Sequence, residues 1–227
     1  MTANNAPGLA RAFLQLHRVY RETHERLASL DQALGREGSR TQSSPWEEVC
    51  DFFHYCDNYI DAVDHAAEQF SKGSEGRMFD HSIEALKTIG VTVERKAASA
   101  LRIYGPQKKI LTLSTQVTES TATFQILIKL ALLTQNDLLE AKLDLARFHT
   151  PAARDIAKLG LANYFAGAAL IPYTKFLLSA HRNRYSLEVL TDEFGASFEQ
   201  VCHRLSTLQR PDQRGVPFFS SAWTKLE

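Results

Sequence analysis

Residues Thr123–Gln135 constrain this chain more than any other stretch. They run TFQILIKLALLTQ, dense in Ile and Leu. A helix that is apolar almost all round cannot lie on a surface and has to be enclosed by other elements. The rest of the chain must therefore supply those elements. With 227 residues it can do so, since a chain of this size hides about 70% of its unfolded surface.

The flanking patterns provide them. Ser44-Pro45-Trp46-Glu47 reads as a capped helix start, with Pro at the first helical position and Glu47 completing a capping box. The spacing predicts one helix from there to about Lys72-Gly73, carrying Trp46, Val49, Phe52, Phe53, Cys56, Tyr59, Ile60, Val63, Ala67 and Phe70. A shorter helix, Asp80–Ile89, stops at Gly90. The period then falls to two at Val91–Arg95 and Leu101–Tyr104, followed by Ile110–Ser114, with a Gly105-Pro106 turn between the last two. These predict two or three antiparallel strands. Beyond residue 118 the pattern is helical again. Pro151 opens Ala152–Leu170, Pro172 interrupts, and Tyr173–Arg184 follows. Leu187–Phe194 ends at Gly195, and Ser197 with Gln200 caps Phe198–Leu208.

At the other end, Leu9, Phe13, Leu16, Tyr20, Thr23, Leu27, Leu30 and Leu34 alternate spacings of four and three and stop at Gly35. This is an a/d seam on a rod of roughly 40 Å. It suits either docking on the chain's own core or a homodimer seam. Residues 35–44, GREGSRTQSS, read as a linker.

Bulk properties exclude several classes. Lys and Arg number 26 and so do Asp and Glu, so nucleic acid is not gripped by bulk charge. No apolar run reaches the roughly 18 residues of a membrane span, and Met1–Pro7 lacks a signal peptide's basic start and apolar core. Cys50, Cys56 and Cys202 form neither a CxxC pair nor an even set. A cytoplasmic protein without a disulfide framework is expected.

Leu161-Ala-Asn-Tyr-Phe-Ala-Gly-Ala-Ala-Leu-Ile-Pro172 resembles the A-N-x-F-A-x-x-L-L-x-P run of ImmA/IrrE-type metallopeptidase-like domains. Leu187-x-x-Leu190-x-x-x-Phe194-Gly-Ala-Ser197, with Arg204-Leu205 and Leu208, is a second match. Pro45–Ala67, Arg214–Phe219 and Ala10–Phe13 with His17-Arg18 resemble one branch, the transcriptional regulators responsive to short-chain fatty acyl-CoA. The likeness covers about residues 8–219. Regulators of that branch carry an N-terminal helix-turn-helix and a Cys-bearing C-terminal region that this chain lacks, so an isolated sensor portion is expected. The resemblance implies a mainly α fold with a small antiparallel β-sheet (α+β), a degenerate zinc-metallopeptidase-like core preceded by a long N-terminal helix. The expected organisation is that helix over residues 1–34, the linker over 35–44, an effector-binding domain over 45–209 and a tail over 210–227.

A zinc peptidase of this type needs His-Glu-x-x-His on the buried helix, the two His as ligands on one face and the Glu activating water. Here those positions carry Ile128, Lys129 and Leu132, and the further acidic ligand falls on Leu159 or Leu161. No hydrolase activity, metal or cofactor is therefore expected. His54, His65, His81, His149, His181 and His203 share no i, i+3 or i, i+4 spacing with another His, and His17 and His24 lie seven apart. GxSxG, GxGxxG and P-loop patterns are absent. Leu187–Leu208 looks like a helix-turn-helix, but its second helix starts Phe198-Glu199-Gln200, with a carboxylate where DNA phosphate would lie. His203, Arg204 and Arg210 leave a DNA-reading role open.

Through the resemblance, a short-chain acyl-CoA enters as effector. Such a ligand needs cations for phosphate, an aromatic surface for adenine and a dry slot for the acyl chain. The expected site lies between the Pro45 helix and the sheet. Arg102 leads for phosphate, Tyr59 and Tyr104 for stacking, Ile128 and Leu132 for the slot, with Lys109, Tyr164, Tyr173 and Lys175 around it. Taken singly, these residue types are as readily core aromatics and surface cations.

Overall fold

The computed structural model describes residues 44–74 and 76–216. The chain divides at Ser44/Pro45, and everything below concerns the second unit. The heptad seam Leu9–Leu34 and most of the linker lie outside the described residues.

The expected helix over 45–72 is two helices, α1 (Pro45–Tyr55) and α2 (Asp61–Lys72). Asp57 and Asn58 between them take left-handed backbone, φ 51° and 56°. Asp and Asn are the non-glycine residues that enter this region at least cost, so the break falls at a polar pair inside an otherwise helical apolar pattern. Next come α3 (Met78–Thr88), closed by Gly90 at φ 79°, and three strands, β1 (Thr92–Lys96), β2 (Arg102–Gly105) and β3 (Ile110–Ser114).

The sheet is mixed, which corrects the antiparallel expectation. Its order is β1-β3-β2: β2 and β3 form the expected antiparallel hairpin, but β1 pairs parallel with β3, Val93 opposite Leu111 and Arg95 opposite Leu113. A period of two fixes which face a side chain takes, not which strand lies alongside, so β3 could enter between β1 and β2 without altering the pattern.

After the sheet come α4 (Glu119–Thr134), α5 (Asn136–Ala146), α6 (Pro151–Leu170), α7 (Tyr173–Arg182), α8 (Leu187–Phe194) and α9 (Phe198–Ser206). α4 begins a turn earlier than its apolar run because Thr118 caps it, its hydroxyl accepting from the Thr121 amide at 3.3 Å. Thr150 caps α6 in the same way at 3.1 Å, with Pro151 at the first position. Ser197 and Gln200 form the expected capping box on α9.

α4 is central, as its composition requires. It packs on α6 and α3 and on β3, and Ala122, Ile126, Leu127, Ile128, Leu130 and Ala131 are buried in the main core with Leu111 and Leu113 of the sheet. Its burial is incomplete: Gln125, Lys129, Leu132 and Leu133 keep partial access to solvent. A second core joins α7, α8 and α9 through Tyr173, Phe176, Leu190, Val201 and Leu205.

Candidate functional site

The expected site residues divide into two separate groups. Around α2, α6, α7 and α9 lies a buried ionic network centred on Asp64, which has no exposed surface. Arg204 of α9 grips both Asp64 carboxylate oxygens at 2.5 and 3.3 Å, and Tyr164 of α6 donates to it at 2.8 Å. Arg210 donates to Asp64 at 3.0 Å and to Glu68 at 2.9 Å. The remaining donors of Arg204 reach the Ile171 carbonyl and Thr207. Arg210 also donates to the Tyr59 hydroxyl at 2.9 Å, and its guanidinium lies 4.1 Å from the centre of the Tyr173 ring. Tyr173 in turn donates to the Gln213 carbonyl and accepts from the Arg210 amide.

Tyr59, Tyr164 and Tyr173 are therefore framework residues here, their hydroxyls engaged in tying residues 204–213 to α2 and α6. Burial pushes the phenols of all three up, so they stay protonated as donors. For Glu68, burial works in the opposite direction to its hydrogen bonds. The bonds from Thr174 and then Arg210 win and hold its carboxyl at about 2. Arg204 and Arg210, which left a DNA-reading role open in the sequence, are occupied by carboxylates inside the fold.

The second group lies where β2 faces α4. Arg102 and Tyr104 share the sheet face of Leu113 and Leu111, their register partners. The usual polarity is inverted: Leu101 and Ile103 are exposed, while Arg102 and Tyr104 turn toward the helix. Arg102 donates to the Gln125 side chain at 3.0 Å. Lys129, one helical turn on, places its ammonium 3.6 Å from the centre of the Tyr104 ring. Burial, and then the Arg102 charge, hold the Lys129 ammonium below the usual lysine range; burial alone lowers Arg102.

Ile128 is 3% exposed and belongs to the core. Leu132 is half-buried against it. Of the two slot residues, only Leu132 borders open space. Lys109 sits exposed at the end of the β2–β3 turn, and Lys175 lies exposed on α7 over the Phe194 ring at 5.4 Å. Neither joins Arg102. Among the described residues no group of three His, Cys, Asp or Glu gathers as a metal site. Leu161 is fully buried, and Leu159 faces outward.

This architecture, a small sheet against a central helix that carries Ile128-Lys129-Leu130-Ala131-Leu132, coincides with a family match over residues 87–206, described as IrrE N-terminal-like domain (peptidase family M78). The chain belongs to that family. Among similar proteins is a propionyl-CoA carboxylase regulator of Cereibacter sphaeroides, 58% identical across 96% of this chain and 48% of that protein. The HTH-type transcriptional regulator RamB of Mycobacterium tuberculosis is 37% identical across 93% of this chain and 47% of its own length. A solved Mycobacterium tuberculosis transcriptional regulator superposes with a TM-score of 0.72 at 40% identity, covering 75% of this chain and 54% of that one. The chain thus spans about half the length of the curated relatives it matches, and those relatives are named as regulators.

Sequence reasoning missed Asp64, Glu68 and Gln125; it read Arg204 as part of a family match and, with Arg210, as a DNA contact, not as a partner of buried acids. Asp64 had a signal: it falls between Ile60, Val63 and Ala67 on the apolar stripe of α2, where an acid must find a buried cation.

Proposed function

We propose that this chain is the effector-sensing region of a transcriptional regulator, that it does no chemistry on its ligand, and that the ligand is a short-chain acyl-CoA. The observation that carries the proposal is the α4 turn itself. Where a peptidase of this fold needs imidazole, carboxylate and imidazole, the chain has a core isoleucine, a lysine stacked on Tyr104 and a half-buried leucine. A site so built cannot hold a metal or activate water by the family's route, yet it keeps cations beside an aromatic ring and an apolar residue. The names of the relatives support regulation, and one of them carries propionyl-CoA in its name.

Regulation requires two arrangements that the ligand distinguishes, because a ligand shifts an equilibrium only by its differential affinity. The heptad Leu9–Leu34 supplies a homodimer seam as the responsive interface. DNA is contacted by another part of the regulator. The pairing of Arg204 with Asp64 supports this, since it turns the one arginine of α9 into the fold and away from any DNA.

A thermal-shift series with CoA, acetyl-, propionyl- and butyryl-CoA tests the reading. Ligand at about 100 times its dissociation constant stabilises by roughly 2.7 kcal/mol. For a domain of this size that raises the melting temperature by about 5–11 °C. No shift with any thioester at millimolar concentration leaves a ligand-free dimerisation scaffold as the better reading.

A further inference from the structure

We infer that Arg102, Gln125, Lys129 and Tyr104 form an anion subsite, built to take the phosphate groups of a nucleotide-bearing ligand. Four observations converge. Arg102 and Tyr104 are i, i+2 on one strand face, and Gln125 and Lys129 are i, i+4 on one helix face, so all four side chains meet between β2 and α4. Both cations are half-buried, and each is held in place by a neutral group: Arg102 by the Gln125 side-chain oxygen at 3.0 Å, Lys129 by the Tyr104 ring at 3.6 Å. Neither has a carboxylate within ion-pair distance among the described residues. By contrast, Arg204, Arg210, Arg154 and Lys158, also partly or fully buried, are each bound to acids, and only the half-buried Lys142 likewise has no carboxylate within ion-pair distance among the described residues. Finally, Arg95 shares this sheet face, because both it and Arg102 are register partners of Leu113. The two arginines stand two strand spacings, roughly 10 Å, apart. The nearest strand carboxylate, Glu94, takes the opposite face with Lys96.

Two adjacent positive charges, partly removed from water and left without a counter-charge, destabilise one another unless an anion enters. A guanidinium with donors to spare beside a compact ammonium matches adjacent phosphate oxygens, the first through paired hydrogen bonds and the second as a point charge. The face of Tyr104 is already covered by Lys129, so the ring orients the cation rather than stacking on a base.

The identity of the ligand as an acyl-CoA rests on the reading above; the anion chemistry of the subsite does not. Calorimetry on the full chain separates the two, with pyrophosphate, propionyl-CoA and S-propionyl-pantetheine, which has the thioester but no phosphate, as probes. Wild type is expected to bind the first two, more weakly as salt rises. Arg102→Gln and Lys129→Gln should each lower both affinities by about tenfold or more, Lys129→Arg should retain binding, and the weak pantetheine thioester should be unaffected by all three. Unchanged melting temperatures show that the variants fold. Propionyl-CoA binding equally well to wild type and both Gln variants overturns the subsite and leaves the effector reading standing. Pyrophosphate binding that depends on Arg102 and Lys129, with no response to either thioester, keeps the subsite and removes the acyl-CoA. No binding of pyrophosphate or propionyl-CoA by the wild type overturns both.

Discussion

Replacing Asp64 with Asn tests whether the buried network, more than helix packing alone, fixes α9 and residues 207–213 to the fold. Asp64 is fully buried and accepts two hydrogen bonds from Arg204, one from Arg210 and one from Tyr164. The amide keeps the shape but loses the charge, and it turns an NH2 donor toward guanidinium donors. Arg204, 3% exposed, is then a buried cation with no counter-charge. Removing one partner of a buried pair costs about 3–5 kcal/mol. Each kcal/mol moves the midpoint of a domain this size by about 2–4 °C, so a fall of roughly 6–20 °C is expected by circular dichroism. Arg210 offers partial relief, because it retains Glu68 at 2.9 Å and does not depend on Asp64 alone. The double variant Asp64→Asn with Arg204→Met removes the orphaned charge and should recover at least half of the loss. A midpoint for Asp64→Asn within about 2–4 °C of wild type, the equivalent of about 1 kcal/mol, would refute the reasoning, since the pair would then contribute no more than a surface contact.

Other outcomes follow from the same structure. Glu68, held at about 2 when folded, has an ordinary value near 4.3 when unfolded. Its contribution is therefore full above that unfolded value and is lost as pH falls through the folded one. The melting-temperature difference between wild type and Glu68→Gln should shrink steadily from pH 5 toward about pH 2; a difference independent of pH would show that Glu68 is not ionised against Arg210. Thr150→Ala removes the cap of α6 and should cost about 1 kcal/mol in urea unfolding, with the slope unchanged. Elemental analysis of protein purified without added metal should find no stoichiometric zinc, and one zinc per chain would contradict the reading of the α4 turn. In sedimentation, Leu16→Glu with Leu27→Glu should give folded monomers if the heptad is intermolecular, whereas unfolding of the whole chain would favour docking in cis.

Much of the fold could be read from residue patterns because the strongest signals are local. The Thr123–Gln135 run requires enclosure, Gly90 and Gly195 adopt positive φ where helices stop, and Ser197 with Gln200 closes a capping box. What failed was what the patterns do not encode. The break at Asp57-Asn58 rests on two left-handed residues inside a continuous apolar stripe, and the parallel pairing of β1 with β3 follows strand order, not alternation. In the candidate site, Arg102 and Tyr104 were recognisable from their strand face. Lys129 was noticed only as a residue unable to serve as a base. Its partnership with Tyr104 depends on how α4 crosses the sheet, a tertiary fact with no sequence period. Tyr59, Tyr164 and Tyr173 looked like ligand contacts by residue type, but their hydroxyls face the buried arginines and carboxylates that bring α2, α6 and α9 together.

The proposed function requires that an acyl-CoA bind this chain and stay intact. Titration of propionyl-CoA into the 227-residue chain by calorimetry, with free thiol measured in the same sample afterwards, tests both halves together. Saturable binding with no release of CoA thiol is expected. Absence of binding at millimolar thioester, or thiol accumulating faster than in buffer, would contradict that function.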